Sequence, residues 1–111
     1  MEKIKLTVTT LNKNLISIPA KLWASDFFPE YNWHFVVLTD DGEIIFFTRK
    51  QENEKAIHTP HNNSLIGIYF RKRLGVPTRE TVTMAHLTKY GRTDIDFYKL
   101  DDENYYMDFS V

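Results

Sequence analysis

Ile4, Leu6 and Val8 alternate with Lys5, Thr7 and Thr9. That period of two predicts a half-buried strand, because successive side chains of an extended chain point to opposite faces. A polar break at Asn12, Lys13 and Asn14 follows, and Leu15 to Ile18 resumes the apolar pattern, so the two segments are expected to form a hairpin with a basic, amide-rich tip. Pro19 suits the first position of a short helix through Lys21, Leu22, Trp23 and Phe27, ended by Pro29 and a turn at Tyr31-Asn32. Trp33 to Thr39 and Glu43 to Thr48 are aromatic and β-branched runs joined by Asp40-Asp41-Gly42. Asp and Gly tolerate positive φ, which makes this the strongest hairpin signal in the chain.

After Thr48 the pattern stops. From Arg49 to Asn63, Ile57 is the only large apolar side chain, and a loop of that length without regular structure is often functional. Ser64 is expected to cap a helix that turns Leu65, Ile68, Tyr69 and Leu74 inward. Arg71, Lys72 and Arg73 fall in its last turn, where they complement the dipole, and Gly75 ends it before Pro77. Thr83 heads a second short helix, Met84 to Tyr90, stopped by Gly91. Two closing strands, Thr93 to Leu100 and Asn104 to Phe109, turn at Asp101-Asp102-Glu103. Six or seven short strands with two or three short helices favour a small closed or nearly closed barrel over a parallel sheet.

The chain has 111 residues, 14% of them aromatic, enough for one modest core and little room for a second. No repeat, low-complexity tract or linker divides it, so residues 1–111 are expected to form a single domain. Without cysteine the core has neither disulfides nor thiolate metal sites to support it, which suits a reducing cytoplasm. The N-terminus lacks the apolar stretch of a signal peptide, and no run approaches membrane-spanning length. The overall charge of −1 is uneven: residues 1–48 carry four basic and six acidic groups, residues 49–92 nine and three, and residues 93–111 one and six. Two readings of the basic middle stand, a positive face for a polyanion and a set of solvated charges paired with the acidic tail.

Candidate catalytic groups do not assemble into a site. His58 and His61 flank Pro60, which argues against a helix presenting both to a metal, and no cysteine or adjacent carboxylate completes a zinc set. Asp94, Asp96 and Lys99 superficially match a metal-dependent nuclease, yet Asp94 and Asp96 share one face of a strand and Lys99 falls on the other. A solvated strand face above Ile95 and Phe97 explains them more simply. His86 and Lys89 lack the spacing of phospholipase-D-type nucleases, and the four glycines form no phosphate loop. A non-enzymatic chain without a cofactor is the expectation.

Binding chemistry is concentrated in two polar segments. Asn12, Lys13 and Asn14 form one tip, and Arg49, Lys50, Gln51, Asn53, Lys55 and His58 begin the other. Arg and Lys donate to guanine acceptors, Asn and Gln match the donor and acceptor of adenine, and nearby Ser, Thr and Lys can hold phosphates. Taken singly, such residues are also simply good turn formers.

The order of strand, polar tip, Leu15-Ile16-Ser17-Ile18-Pro19, short helix ending Phe27-Phe28-Pro29 and aromatic hairpin resembles the B3-type DNA-binding pseudobarrel. The stretches Leu65 to Pro77, Tyr90 to Asp94 and Tyr105 to Ser110 are similar to the C-terminal domain of restriction endonucleases with a phospholipase-D-type nuclease. This resemblance implies a mainly β fold with short helices, a seven-stranded open barrel. It further implies sequence-specific binding of double-stranded DNA by two arms in the major groove, and a fused or separate nuclease as partner. The first arm would be Thr10 to Asn14 and the second Arg49 to about Asn63, including Asn62 and Asn63, with Arg71 to Arg73 and Arg92 as supporting phosphate contacts or structural groups. A protein-interaction module and a small metal-dependent nuclease are the alternatives.

Overall fold

The computed structural model describes residues 1–9, 11–30, 33–50 and 55–111. Seven strands make one sheet: β1 (Lys3–Thr7), β2 (Ile16–Ser17), β3 (Phe35–Thr39), β4 (Ile44–Arg49), β5 (Ala56–His58), β6 (Asp94–Lys99) and β7 (Asn104–Asp108). Their order is β1-β6-β7-β3-β4-β5-β2, all neighbours antiparallel except β3 and β7. The edge strands β1 and β2 approach one another, which nearly closes the sheet into a barrel. Closure hides the sheet's edges and gives the inward side chains a common interior.

The interior follows the period of two. Phe35, Val37, Ile45, Phe47, Ile57, Ile95, Phe97, Tyr105 and Met107 all point inward and are buried. Phe28, brought in by the segment after α1 (Ala20–Trp23), sits among Phe27, Phe35, Phe97 and Tyr105 with ring centroids 4.9–5.8 Å apart. The Tyr105 hydroxyl donates to the carbonyl of Phe27, fixing that segment under one end of the barrel. Helices α2 (Leu65–Leu74) and α3 (Met84–Tyr90) close the other end. Gly75 and Gly91 end these helices in the left-handed conformation, φ 71° and 107°, which glycine adopts without steric cost. Thr83 and His86 form a reciprocal capping box at the start of α3.

Several expectations change. The helix expected through Phe27 ends at Trp23, and the turn expected at Tyr31-Asn32 lies outside the described residues. The first two strands do not pair with each other: β1 pairs with β6 and β2 with β5, so the polar tip is a crossing between the barrel's edges. Residues 49–63 are not free of regular structure, because the barrel recruits Ala56–His58 as a strand between β4 and β2. In α2 the inward residues are Ile66, Gly67, Tyr69 and Phe70, while Leu65 and Ile68 are exposed. Apolar residues occur all round this helix, so periodicity alone does not select its buried face.

Candidate nucleic-acid interface

Asn12, Lys13 and Asn14 lie at one end of the short β2–β5 pair and Lys50 and Lys55 at the other, while the chain after His58 leaves β5 at the first segment's end. Ile16 faces Ile57 and Ser17 faces Ala56, so the chain before Ile16 lies beside the end of β5, while Lys55 lies beside Ile18, whose N–H it accepts at 2.8 Å.

The first segment is a 3₁₀ turn, Leu11–Lys13, followed by Asn14 at φ 57°, a left-handed position that asparagine tolerates. Leu11 is buried and anchors it. Asn12 spends both ends of its amide on the protein: Nδ2 donates to the Val82 carbonyl at 3.0 Å, and Oδ1 accepts from the Val82 N–H and from Arg71 at 2.9 Å each. Arg71 also donates to the Glu80 carbonyl. Lys13 is exposed with no ion-pair partner among the described residues.

Gly67 seats this segment on α2. A Cβ there would lie 2.5 Å from Asn14 Oδ1 and 2.6 Å from an Arg71 terminal nitrogen, closer than such atoms approach. Gly67→Ala gains about 1 kcal/mol of helix propensity and loses about as much to overpacking. Stability should therefore stay within about 1 kcal/mol in urea unfolding, while the Asn14 side chain, turned away from its present place, contributes several-fold less to DNA affinity. Unchanged DNA affinity would show that the placement of the Asn14 side chain is irrelevant. A glycine inside an otherwise helical run was the sequence signal for this close approach.

In the second segment, Lys50 donates its N–H to Ala56 at 2.9 Å, so β4 and β5 form a hairpin. Gln51 and Asn53, like Thr10 of the first segment, lie outside the described residues. Lys50 is half-buried and Lys55 exposed, neither in an ion pair among the described residues. Arg49, expected to project toward a ligand, is instead buried at 9% exposure. Its guanidinium donates to the carbonyls of Trp23, Ser25, Phe28 and Pro29 at 2.7–3.2 Å and lies 4.7 Å from the Trp23 ring. It holds the barrel end together.

His58 faces outward opposite Thr48. Burial and the neighbouring Lys50 charge both push its imidazole below the ordinary histidine value. His61 packs its ring on His34, 5.1 Å between centroids, edge to face. Asn62 accepts from the Thr59 hydroxyl and the Leu65 N–H through its carbonyl and from the Ser64 N–H through its side chain. Asn62 thus organises the start of α2, and Ser64 makes no side-chain cap. Asn63 is exposed.

Arg73 and Arg92 are tied into the fold. Arg73 forms a two-pronged pair with Asp40 at 2.6 and 2.8 Å. Arg92 donates to Asp94, Asp96 and the Ser110 carbonyl. Asp96 is buried rather than on a solvated face, with Lys5 at 3.4 Å and Lys3 at 3.8 Å beside its second oxygen. Burial pushes the Asp96 carboxyl up, and Arg92 and the two lysines outweigh that and hold it below the ordinary range. Asp94 and Asp96 are therefore committed to cations of the protein. Among the described residues no group of three His, Asp or Glu side chains is placed to hold a metal ion, and no helix is long and apolar enough to cross a membrane.

The family model for the NgoFVII C-terminal B3-like DNA-binding domain matches residues 4–101. A solved structure of a hypothetical protein of Arabidopsis thaliana is similar over 96% of this chain and 86% of its own, with a TM-score of 0.51 and 15% identity, a likeness of fold. No curated protein matches.

Proposed function

The chain belongs to the family of NgoFVII C-terminal B3-like DNA-binding domains, and from that premise we propose that it reads a specific sequence in duplex DNA with its two polar arms in the major groove. In this reading it is the target-recognition part of a type II restriction endonuclease, acting in the cytoplasm with a fused or separate nuclease. The observation that carries the reading is the placement of Lys13 on one side of the β2–β5 pair and Lys50 and Lys55 on the other. These lysines have no ion-pair partner among the described residues, whereas Arg73 and Arg92 of the basic middle are neutralised by aspartates.

The roles divide by chemistry. Lys13, Lys50 and Lys55 supply phosphate contacts and fix the register. Asn14, Gln51, Asn53, His58 and Asn63, with Thr10, are the candidates for base edges and nearby backbone. Asn12, Asn62 and Arg49 brace the arms from within. Replacing Lys13, Lys50 and Lys55 together by Ala should weaken every duplex alike. It should also make the dependence of log affinity on log salt shallower by about 3, at about 0.9 for each phosphate that is no longer neutralised. An unchanged salt slope would remove these lysines from the interface.

A further inference from the structure

A cleft of about 700 Å³ opens at the end of the barrel occupied by α1, away from the first arm. That volume falls in the range of about 300–1,000 Å³ typical of ligand sites. Phe28, Pro29, Trp23 and Trp33 form its apolar lining. Four carboxylates line it as well, Asp26 and Glu30 after α1 and Asp102 and Glu103 from the β6–β7 turn, against two cations, Arg49 and Lys99. Both cations are engaged by the protein, Arg49 with carbonyls and Lys99 with the Asp26 carbonyl at 2.8 Å and, more distantly, Asp102 at 4.0 Å. The Asp102 side chain is fully exposed at the rim.

We propose that this cleft docks an arginine or lysine side chain from a basic peptide segment of a protein partner. Three observations converge on that class. The carboxylate excess favours a cation and repels the phosphates of nucleic acid. Trp33 is 59% exposed, and no cation lies on its ring among the described residues, so an aromatic face is open to a guanidinium or ammonium. Trp23 already holds a guanidinium, that of Arg49, which demonstrates the same chemistry within the lining. The inference does not rest on DNA reading: Arg49, at the base of the second arm, lines the cleft, but its four carboxylates belong to neither arm.

The chain has two tryptophans and both line the cleft, so intrinsic fluorescence reports occupancy directly. Titration of the whole chain with an acetylated Gly-Arg-Gly-Arg-Gly amide should give a saturable change in tryptophan emission that weakens with salt. The same peptide with citrulline for arginine, equal in shape and uncharged, should give none. The double variant Glu30→Gln with Asp102→Asn keeps both tryptophans and should bind the arginine peptide about fivefold more weakly, with duplex DNA affinity unchanged. No saturable response, an equal response to the citrulline peptide, or saturation by adenosine in place of arginine would each overturn the proposal.

Discussion

Arg73→Met is expected to lower the free energy of unfolding by about 3–5 kcal/mol, the usual result of removing one partner from a buried ion pair. The arginine stem is replaced by a side chain of similar volume, so the loss is electrostatic rather than a cavity. Arg73 and Asp40 are each 12% exposed, and Asp40 also accepts the Phe109 N–H at 2.9 Å. Arg73 further donates to the hydroxyls of Tyr69 and Tyr90 and lies 5.3 Å from the Phe109 ring. Tyr90 in turn donates to the Phe109 carbonyl at 2.6 Å, and Tyr69 to Asp41 at 2.7 Å. Burial, reinforced by the bond to Asp41, pushes the Tyr69 hydroxyl up to about 12, so it remains a donor throughout the working pH range. One guanidinium thus connects α2, α3, the β3–β4 turn and the C-terminal strand.

The sign of the pH dependence checks the same group. Burial raises the Asp40 carboxyl, and the bonds from Arg73 and Phe109 outweigh it, leaving it below its ordinary value of 3.8. A carboxyl lowered by folding stabilises the protein above that value, and the contribution is lost as pH falls below it. In Arg73→Met burial is opposed only by the bonds from the Phe109 and Asp40 backbones, so the deficit against the parent should shrink under acid, where Asp40 becomes neutral. Combining Asp40→Asn with Arg73→Met should recover part of the loss, because the unpaired charge is gone. Denaturant midpoints across pH read all three outcomes. A deficit constant from neutral pH to about pH 3, below the ordinary carboxyl range, would show that the pair is not its source.

Arg49→Met is expected to cost about 3 kcal/mol, because carbonyls that accepted charge-assisted bonds lose them. Four such carbonyls, of Trp23, Ser25, Phe28 and Pro29, converge on this side chain. Cleft water replaces part of what is lost, which keeps the figure below a sum over all four bonds. Arg49→Lys should fare little better, since an ammonium cannot reproduce a planar fork of donors. Because Arg49 stands at the base of the second arm, DNA affinity should fall for all duplexes together. A variant as stable as the parent with relaxed preference at a single base pair would return Arg49 to the base-reading set.

The elements most legible in the sequence were those set by local chemistry. Asp40-Asp41-Gly42 marked the β3–β4 turn, Gly75 and Gly91 the ends of two helices, and Thr83 the start of α3. Pairings made at long range were not legible. β5 is three residues in a polar stretch and exists because β4 and β2 flank it. The role of Arg49 was hidden for a related reason: it reads as the first residue of a polar loop, but the strand carries one residue further and aims it at backbone carbonyls at least twenty positions away. Asn12 similarly matches base-reading chemistry and finds its donor and acceptor in Val82, seventy residues along the chain. Polar side chains suited to a base edge are equally suited to a peptide group, and only the fold decides between them.

The most direct test of sequence reading by this domain is selection of bound duplexes from a random library at near-physiological salt, with recovered sites retested over a salt series. One short enriched motif is expected, bound with affinity that falls steeply as salt rises. Recovery of all sequences in equal measure would contradict the reading, leaving a barrel that holds phosphates without distinguishing bases.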